Sequence, residues 1–495
     1  MGEFRTKLVK YSTYSFAAMV VTTILALIRS IIVARIFNDP EPLGILAILQ
    51  NMSAMVGTLA IFSMPIAVTK FVAEYNVKDR EVLNKIISNA FTLMLFLTLC
   101  FSSIYFLFSD MIALRIYNEP IIGLLIKIHV ISIISESLIG LCSGLIRGYQ
   151  RIKTLSWLGV VNVSIGLPIA YFLILKFGLV GAVLSLAVTS LVYLIIISRV
   201  AHQIINQEKV KIRFRINKEL TKKLFKFTTP LLLSGFVLLP VYWFANTHLA
   251  LIVGFDKVGL FKIGYNLYNL FLTLPTVLAI PLLPMISEIY GLNPEKASSI
   301  VPRILRMVML IMLPMIIGVG IAAKFLISLL YGQVYVDAYL IAYLLVLTSF
   351  PISLSSIIST TLMAAEKTWT ILSLDLIWAL FFIPSAYLLI NLYGLTGIGV
   401  AYLVSAICFF IIEMTYLRKR FNMDLKLLRK PIIFGFIFGS IGFFVISLDS
   451  VGYILFYDFI IITVLLVIEY FMLTLEEKEM FKDLLIKYRK YIPFA

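Results

Sequence analysis

Fourteen apolar runs divide this chain of 495 residues, and each is about as long as a helix that crosses a lipid bilayer. A transmembrane helix needs roughly 20 apolar residues because the hydrocarbon core of a membrane is about 30 Å thick. Backbone polar groups find no partner in lipid, so the runs predict an all-α polytopic membrane protein. We number the predicted spans 1 to 14; they lie near residues 13–36, 43–67, 86–108, 121–145, 155–175, 180–200, 228–252, 259–286, 307–330, 337–363, 368–390, 396–417, 431–448 and 453–474.

The basic residues between the spans predict how the chain is oriented. Charged residues make up 14% of the chain, against about 25% in a soluble domain. If the N-terminus is cytoplasmic, the inner segments hold 34 Lys and Arg and the outer segments hold 5. An excess of Lys and Arg marks the cytoplasmic side, so we predict that both termini are cytoplasmic and that the protein resides in the cytoplasmic membrane. The net charge of +16 is therefore a topology signal and gives no reason to expect a nucleic-acid partner.

No sequence pattern points to a cofactor, a metal or a catalytic residue. Cys100, Cys142 and Cys408 lie within apolar spans and lack the spacing of metal ligands. A glycine loop for phosphates and a nucleotide-binding domain are both missing from the sequence. We therefore expect a protein that is not an enzyme and binds no cofactor. We also expect it to work as a monomer.

Landmarks of the first six spans recur about 215 residues later in the same order. The paired segments are 42–46 with 257–261, Glu74 with Glu288, 116–118 with 330–332, and 177–182 with 393–398. Because six is an even number, the two copies keep the same orientation, which is typical of transporters built from parallel repeats. We predict a first six-helix half at 1–206, a basic cytoplasmic linker at 207–227, a second six-helix half at 228–421, and two extra helices with a cytoplasmic tail at 422–495.

Span 4 carries polar side chains along one face. His129, Ser132 and Glu136 lie on an arc of about 80° that continues to Arg147. Charge at the centre of a bilayer costs roughly 2.5–3.5 kcal/mol, so this face avoids lipid. It lines either a water-filled cavity or a buried polar contact between helices.

Three other spans carry candidate site residues. Span 8 presents a polar face. In span 1, Arg29 lies about eight residues from the outer end of the helix, so this arginine meets either a ligand anion or a buried acid such as Glu136. Asp375 in span 11 either pairs with a cation or binds a coupling proton or sodium ion. The predicted substrate contacts are Arg29, Lys262, His129, Glu136, Ser132, Tyr265, Asn266 and Asn269, and the predicted ion-coupling residues are Asp375 and Glu136.

Several segments resemble one known family. Residues 29–37 followed by Leu43 and Gly44 resemble the first helix and loop of polysaccharide and lipid-linked oligosaccharide flippases. These proteins belong to the multidrug/oligosaccharidyl-lipid/polysaccharide exporter superfamily. Residues 64–75, 318–338 and 394–397 resemble its second helix, its ninth-to-tenth junction and its eleventh-to-twelfth turn. The resemblance implies fourteen spans in a V-shaped bundle, with a cationic central cavity that opens alternately to each face and contains Arg29.

The resemblance also predicts a function. We expect a transporter that flips an oligosaccharide linked to polyprenyl phosphate or pyrophosphate across the cytoplasmic membrane, for cell-surface polysaccharide or glycan biosynthesis. Membrane lipid, the lipid-linked glycan and glycan-assembly enzymes are the expected partners. The alternatives are an ion-coupled exporter of amphipathic small molecules and a lipid II-type flippase. The first helix lacks the acid that drug exporters often use, and residues 50–52 lack the second-helix arginine of lipid II flippases. Short outer loops argue against a third class, a polytopic glycosyltransferase.

Overall fold

The chain folds as a polytopic bundle of helices. The computed structural model describes residues 2–211, 216–292, 294–365, 367–421, 423–448 and 450–472, and these contain no strand. The first half consists of Gly2–Phe37, Pro40–Ile61, Met64–Lys78, Arg80–Leu107, Ser109–Ile112, a π-helical turn at Ala113–Tyr117, Pro120–Gly148 and Ile152–Gln207. The second half consists of Lys218–Phe236, Leu238–Val253, Phe255–Leu292, Pro294–Ile321, Ala323–Leu330, a 3₁₀ helix at Gln333–Ala338, Tyr339–Ala364 and Thr368–Phe421. A 3₁₀ turn at Lys426–Leu428 then leads to Arg429–Ile446 and Val451–Met472.

Ten helical stretches of the described chain are long and apolar enough to cross a bilayer, or eleven if the bent pair Lys218–Leu233 and Leu238–Val253 forms one span. Two of the ten, Ile152–Gln207 and Trp369–Phe421, have 56 and 53 residues. At 1.5 Å per residue each would measure roughly 80 Å, far more than the thickness of a membrane. The exact count of fourteen spans stays a prediction, but each of these two stretches is long enough for more than one crossing.

Both long stretches break at a glycine. Gly178 has φ 55° and ψ −130°, and Gly394 has φ 56° and ψ −126°. Three residues beyond each break, a Cβ added to Gly181 or Gly397 would lie 1.9 Å from a carbonyl oxygen eight residues earlier in the chain. Those atoms would be about 12 Å apart along a straight helix, so the chain doubles back at each glycine. The positive φ explains why glycine occupies both turns.

These matching turns support the repeat predicted from the sequence, in which two halves are followed by two C-terminal helices. Asn118 and Gly332, which are also repeat partners, both have positive φ at the end of a helix. The full backbone conformation is shared by Gly178 and Gly394, whereas Asn118 has ψ 32° and Gly332 has ψ 168°.

The two halves meet at a reciprocal crossing of spans 2 and 8. A Cβ added to Gly44 would lie 1.8 Å from the carbonyl oxygen of Phe255, and one added to Gly259 would lie 1.9 Å from that of Pro40. Gly44 and Gly259 are repeat partners, and Pro40 and Phe255 are separated by the same 215 residues. The backbones of the two helices thus touch at two points related by the pseudo-symmetry of the repeat.

The predicted inter-half linker, residues 207–227, is partly helical. The helix that leads into span 7 begins at Lys218, ten residues before the expected start at 228. Its first turns are amphipathic, with Leu224 and Thr228 buried and the lysines exposed, so no apolar run marks them in the sequence. The predicted cytoplasmic tail after span 14, residues 475–495, lies outside the described residues.

Asn89 of span 3 fixes the start of this helix. Its side-chain oxygen accepts the backbone N–H of Asn217 at 2.8 Å, and its amide donates to Thr221 Oγ1 at 3.1 Å. Asn217 in turn caps the helix by accepting the N–H groups of Glu219 and Leu220. A residue of the first half therefore fixes the first turn of the first helix in the second half.

Candidate functional site

A cavity of about 660 Å³ lies between span 1 of the first half and span 8 of the second. Its polar lining residues are Thr22, Thr23 and Ser30 from span 1 and Asn266, Asn269 and Thr273 from span 8. The remaining lining is apolar and includes Val163 of span 5. Both halves thus contribute hydroxyl and amide groups to one space, and Asn266 and Asn269, two of the predicted substrate contacts, are among its lining residues.

Hydrogen bonds between the halves close the cavity at the predicted outer end. Asn266 Nδ2 donates to Ser30 Oγ at 2.6 Å. One turn further along span 1, the Tyr335 hydroxyl lies 2.7 Å from the carbonyl oxygen of Ala34. Arg35 Nε donates to the carbonyl oxygen of Leu330 at 2.7 Å, and its terminal nitrogen donates to that of Leu329. Arg35 therefore caps the C-terminus of Ala323–Leu330, where a positive charge complements the helix dipole.

Two tyrosines at repeat-equivalent positions also reach into the opposite half. Tyr117 of the first half accepts from Trp243 Nε1 at 3.0 Å and shares a hydrogen bond of 2.8 Å with Thr247 Oγ1, both in span 7. Tyr331 of the second half lies beside Ser30 of span 1, and its buried hydroxyl forms no hydrogen bond among the described residues. We call Arg35, Tyr117, Tyr331 and Tyr335 the outer gate; the sequence patterns did not single them out as a group.

Arg29 and Lys262, the two cations among the predicted substrate contacts, are not lining residues of the cavity. Arg29 is partly buried within its own half, 3.4 Å from Ser185 Oγ of span 6, and forms no ion pair with Glu136. Lys262 donates to Gln50 Oε1 of span 2, also at 3.4 Å. Both distances are long for hydrogen bonds, so each cation is held weakly by a neutral group. A membrane-embedded arginine without an acid partner requires water or an anion.

The polar face of span 4 divides into two environments. His129 and Ser132 are buried, and neither His129 Nδ1 nor Ser132 Oγ has a hydrogen-bond partner among the described residues. Glu136 is exposed. It lies about 140° around the helix from Ile131, which belongs to the exposed apolar face. The carboxylate therefore faces away from the lipid side and toward the interior of the protein.

Tyr265 belongs to an aromatic cluster in the second half. Its ring centroid lies 5.7 Å from Phe261 and 5.4 Å from Tyr268. The cluster extends to Tyr242 and Tyr402, which stack with ring planes 2° apart. Tyr265 is only partly buried, so one edge of the cluster remains accessible.

Asp375 and Glu413 form an acidic pair of neighbours within the second half. No described cation pairs with Asp375, which is partly buried near Tyr242. Glu413 of span 12 lies near Asp375, is almost fully buried and accepts a hydrogen bond from Ser355 of span 10. The sequence analysis missed Glu413, although a single acid inside the apolar run 396–417 was the signal that could have identified it.

Comparison with known proteins places the chain in a family. The family described as polysaccharide biosynthesis protein has a model that matches residues 57–340. No curated protein matches the chain by sequence.

Solved structures share the fold. The lipid II flippase MurJ in an inward closed conformation superposes with a TM-score of 0.74 and 16% identity, covering 96% of this chain and 100% of that chain. An inward-facing MATE multidrug transporter of the MOP superfamily gives 0.66 at 16% identity, covering 82% and 98%. An outward-facing MATE transporter gives 0.58 at 17% identity, covering 84% and 95%.

Proposed function

The chain belongs to the polysaccharide biosynthesis protein family, and we propose that it flips a polyprenyl-linked oligosaccharide across the cytoplasmic membrane by alternating access. The observation that carries this proposal is the cavity between spans 1 and 8, because its polar lining comes from both halves. A cavity shared by two halves changes its access when the halves rock, as in transporters with internal repeats.

The chemistry of the cavity fits a glycan attached to a phosphate. The amides of Asn266 and Asn269 and the hydroxyls of span 1 can exchange hydrogen bonds with sugar hydroxyls. Arg29 and Lys262, each held by one weak hydrogen bond, are available to bind a phosphate with charge-assisted hydrogen bonds. In this proposal the apolar tail stays in the bilayer while the glycan head occupies the cavity.

The outer gate supports an inward-open resting state. Its hydrogen bonds join the halves at the predicted outer end, and the cavity lies on the other side of them. In this proposal the glycan head enters from the cytoplasm, binds Arg29 and Lys262, and leaves after the gate residues separate.

The proposal is tested by glycan-lipid flipping in reconstituted vesicles. We expect Arg29→Ala and Lys262→Ala each to reduce the flipping rate at least tenfold, since a charge-assisted hydrogen bond contributes about 1.5–3 kcal/mol. Lys176→Ala is the matched control, because Lys176 is an exposed cation at the outer turn between spans 5 and 6. Unchanged flipping in both Arg29→Ala and Lys262→Ala shows that neither residue binds the phosphate.

A further inference from the structure

A second cavity of about 800 Å³ lies in the second half and shares no lining residue with the first. It is a groove bounded by spans 9, 10, 12 and 13. Tyr343 and Leu347 of span 10 lie along its floor, while Ile411 of span 12 and Phe436 of span 13 lie on opposite sides. Ile411 is 56% exposed and Phe436 is 74% exposed. Both belong to apolar spans, so the groove opens to the bilayer.

Small residues of span 13 give the groove its depth. Gly435, Gly439 and Ser440 line it, and a Cβ added to Gly439 would meet nothing closer than Leu347 at 3.6 Å. Tyr343 donates a hydrogen bond to the carbonyl oxygen of Gly439 and so fixes span 13 to the floor. Span 13 packs on span 9, whereas span 12 packs on span 10, which leaves the gap between spans 12 and 13.

Three cations lie at one end of the groove. Arg418 is in the last turn of span 12, Lys426 is in the 3₁₀ turn, and Arg429 begins the helix of span 13. All three side chains line the groove and are exposed, and no carboxylate among the described residues forms an ion pair with them. Asp424 also lines this end, but its Oδ1 accepts the backbone N–H of Lys426 at 3.0 Å and stabilises the turn. The end therefore keeps a positive charge.

We propose that the groove binds one anionic phospholipid of the cytoplasmic leaflet, with its phosphate at Arg418, Lys426 and Arg429 and its acyl chains along the groove. The cations lie on the predicted cytoplasmic side, at the level of lipid phosphates, and basic pockets between helices on this side bind anionic headgroups. Acyl chains fill the apolar floor because an empty groove in a bilayer forfeits van der Waals contacts.

The site is separate from substrate transport. The glycan-lipid phosphate is assigned to Arg29 and Lys262, which belong to other spans. A phospholipid between spans 12 and 13 instead bridges the second half and the appended helices. It stabilises the attachment of spans 13 and 14 without entering the transport cycle.

Native mass spectrometry of the full chain, purified in mild detergent and titrated with phosphatidylglycerol or phosphatidylcholine, tests the charge component. We expect tighter binding of phosphatidylglycerol, weakened about fivefold by each of Arg418→Gln, Lys426→Gln and Arg429→Gln. The triple variant of Lys419, Arg420 and Lys430 to Gln is the control, because these neighbouring cations do not line the groove. Equal binding of the two lipids overturns the proposal, and so does a loss of binding in the control triple variant equal to that in the triple variant of Arg418, Lys426 and Arg429 to Gln.

Gly439→Leu tests the apolar component with all charges intact. The leucine side chain occupies the groove above Leu347, so we expect phosphatidylglycerol to lose its affinity and its stabilising effect on thermal unfolding. Retained binding in a folded Gly439→Leu variant contradicts the proposed acyl position. The three exposed cations do not pack in the core, so the charge variants remain decisive if Gly439→Leu does not fold.

A polyprenyl-linked glycan serves as the competitor. Displacement of one phospholipid by one glycan-lipid would assign the groove to the substrate tail and overturn the proposal. Simultaneous binding of both lipids is the expected result.

Discussion

Gly259→Ala tests whether the crossing of spans 2 and 8 keeps the outer gate closed. The new Cβ would lie 1.9 Å from the carbonyl oxygen of Pro40, whereas real Cβ atoms essentially never approach closer than 3.0 Å. Because the obstacle is backbone, no side chain can rotate away, and the crossing has to widen by about 1 Å. The hydrogen bond from Tyr335 to Ala34, now 2.7 Å, would lengthen to about 3.7 Å and be lost.

Two opposing effects determine how much Gly259→Ala lowers the free energy of unfolding. Alanine is favoured over glycine in a helix by about 1 kcal/mol. Overpacking costs about 1–3 kcal/mol, and each lost hydrogen bond costs about 1 kcal/mol more. Gly57→Ala, in span 2, is the control because the added Cβ would meet nothing within 4 Å. We expect Gly259→Ala and Gly44→Ala to unfold at lower temperature than Gly57→Ala.

The accessibility of the cavity from outside gives a second measurement on the same variants, besides thermal unfolding. Asn269→Cys, in a chain without Cys100, Cys142 and Cys408, reports whether an impermeant maleimide reaches the cavity from outside. We expect slow labelling with Gly57→Ala and at least fivefold faster labelling with Gly259→Ala. If Gly259→Ala matches Gly57→Ala in both stability and labelling, the crossing does not hold the gate closed.

Three further predictions concern other contacts. Arg35→Gln removes the cap on Ala323–Leu330, and we expect about fivefold faster outside labelling of Asn269→Cys with unchanged expression; no change excludes Arg35 from the gate. No described cation pairs with Asp375, so Asp375→Asn should remove the dependence of transport on an imposed sodium or proton gradient in vesicles; a retained dependence excludes this coupling role. Asn89→Ala leaves the Asn217 N–H without its partner and should destabilise the protein by about 1–3 kcal/mol in thermal unfolding. Equal destabilisation by Asn84→Ala, which removes an exposed contact, would contradict this assignment.

The helical bundle could be predicted because lipid requires long apolar helices, and the repeat because its landmarks recur in the same order about 215 residues later. Apolar length marks a span, and Gly178 and Gly394 mark turns that require positive φ. The amphipathic residues before 228 carry no such signal, so the sequence did not show that the helix begins at Lys218.

Only part of the candidate site could be predicted from the sequence. Helical periodicity identified Asn266 and Asn269, because one polar face on span 8 needs a polar neighbour. The same periodicity could not show that His129 is buried while Glu136 is exposed, since this depends on which helices pack beside each turn. Contacts between the halves, such as Arg35 with Leu330, join residues 295 positions apart and leave no local pattern.

Photo-cross-linking most directly tests whether the glycan head occupies the cavity between spans 1 and 8. A photoreactive amino acid is placed at Thr22 or Asn269 in the cavity, at Ile131 on the lipid-facing side, or at Ile411 in the groove of the second half. A polyprenyl pyrophosphate carrying a labelled glycan is then irradiated with each variant. We predict glycan adducts at Thr22 and Asn269 and none above background at Ile131 and Ile411. Equal labelling at all four positions, or labelling at Ile411 alone, would contradict transport through this cavity.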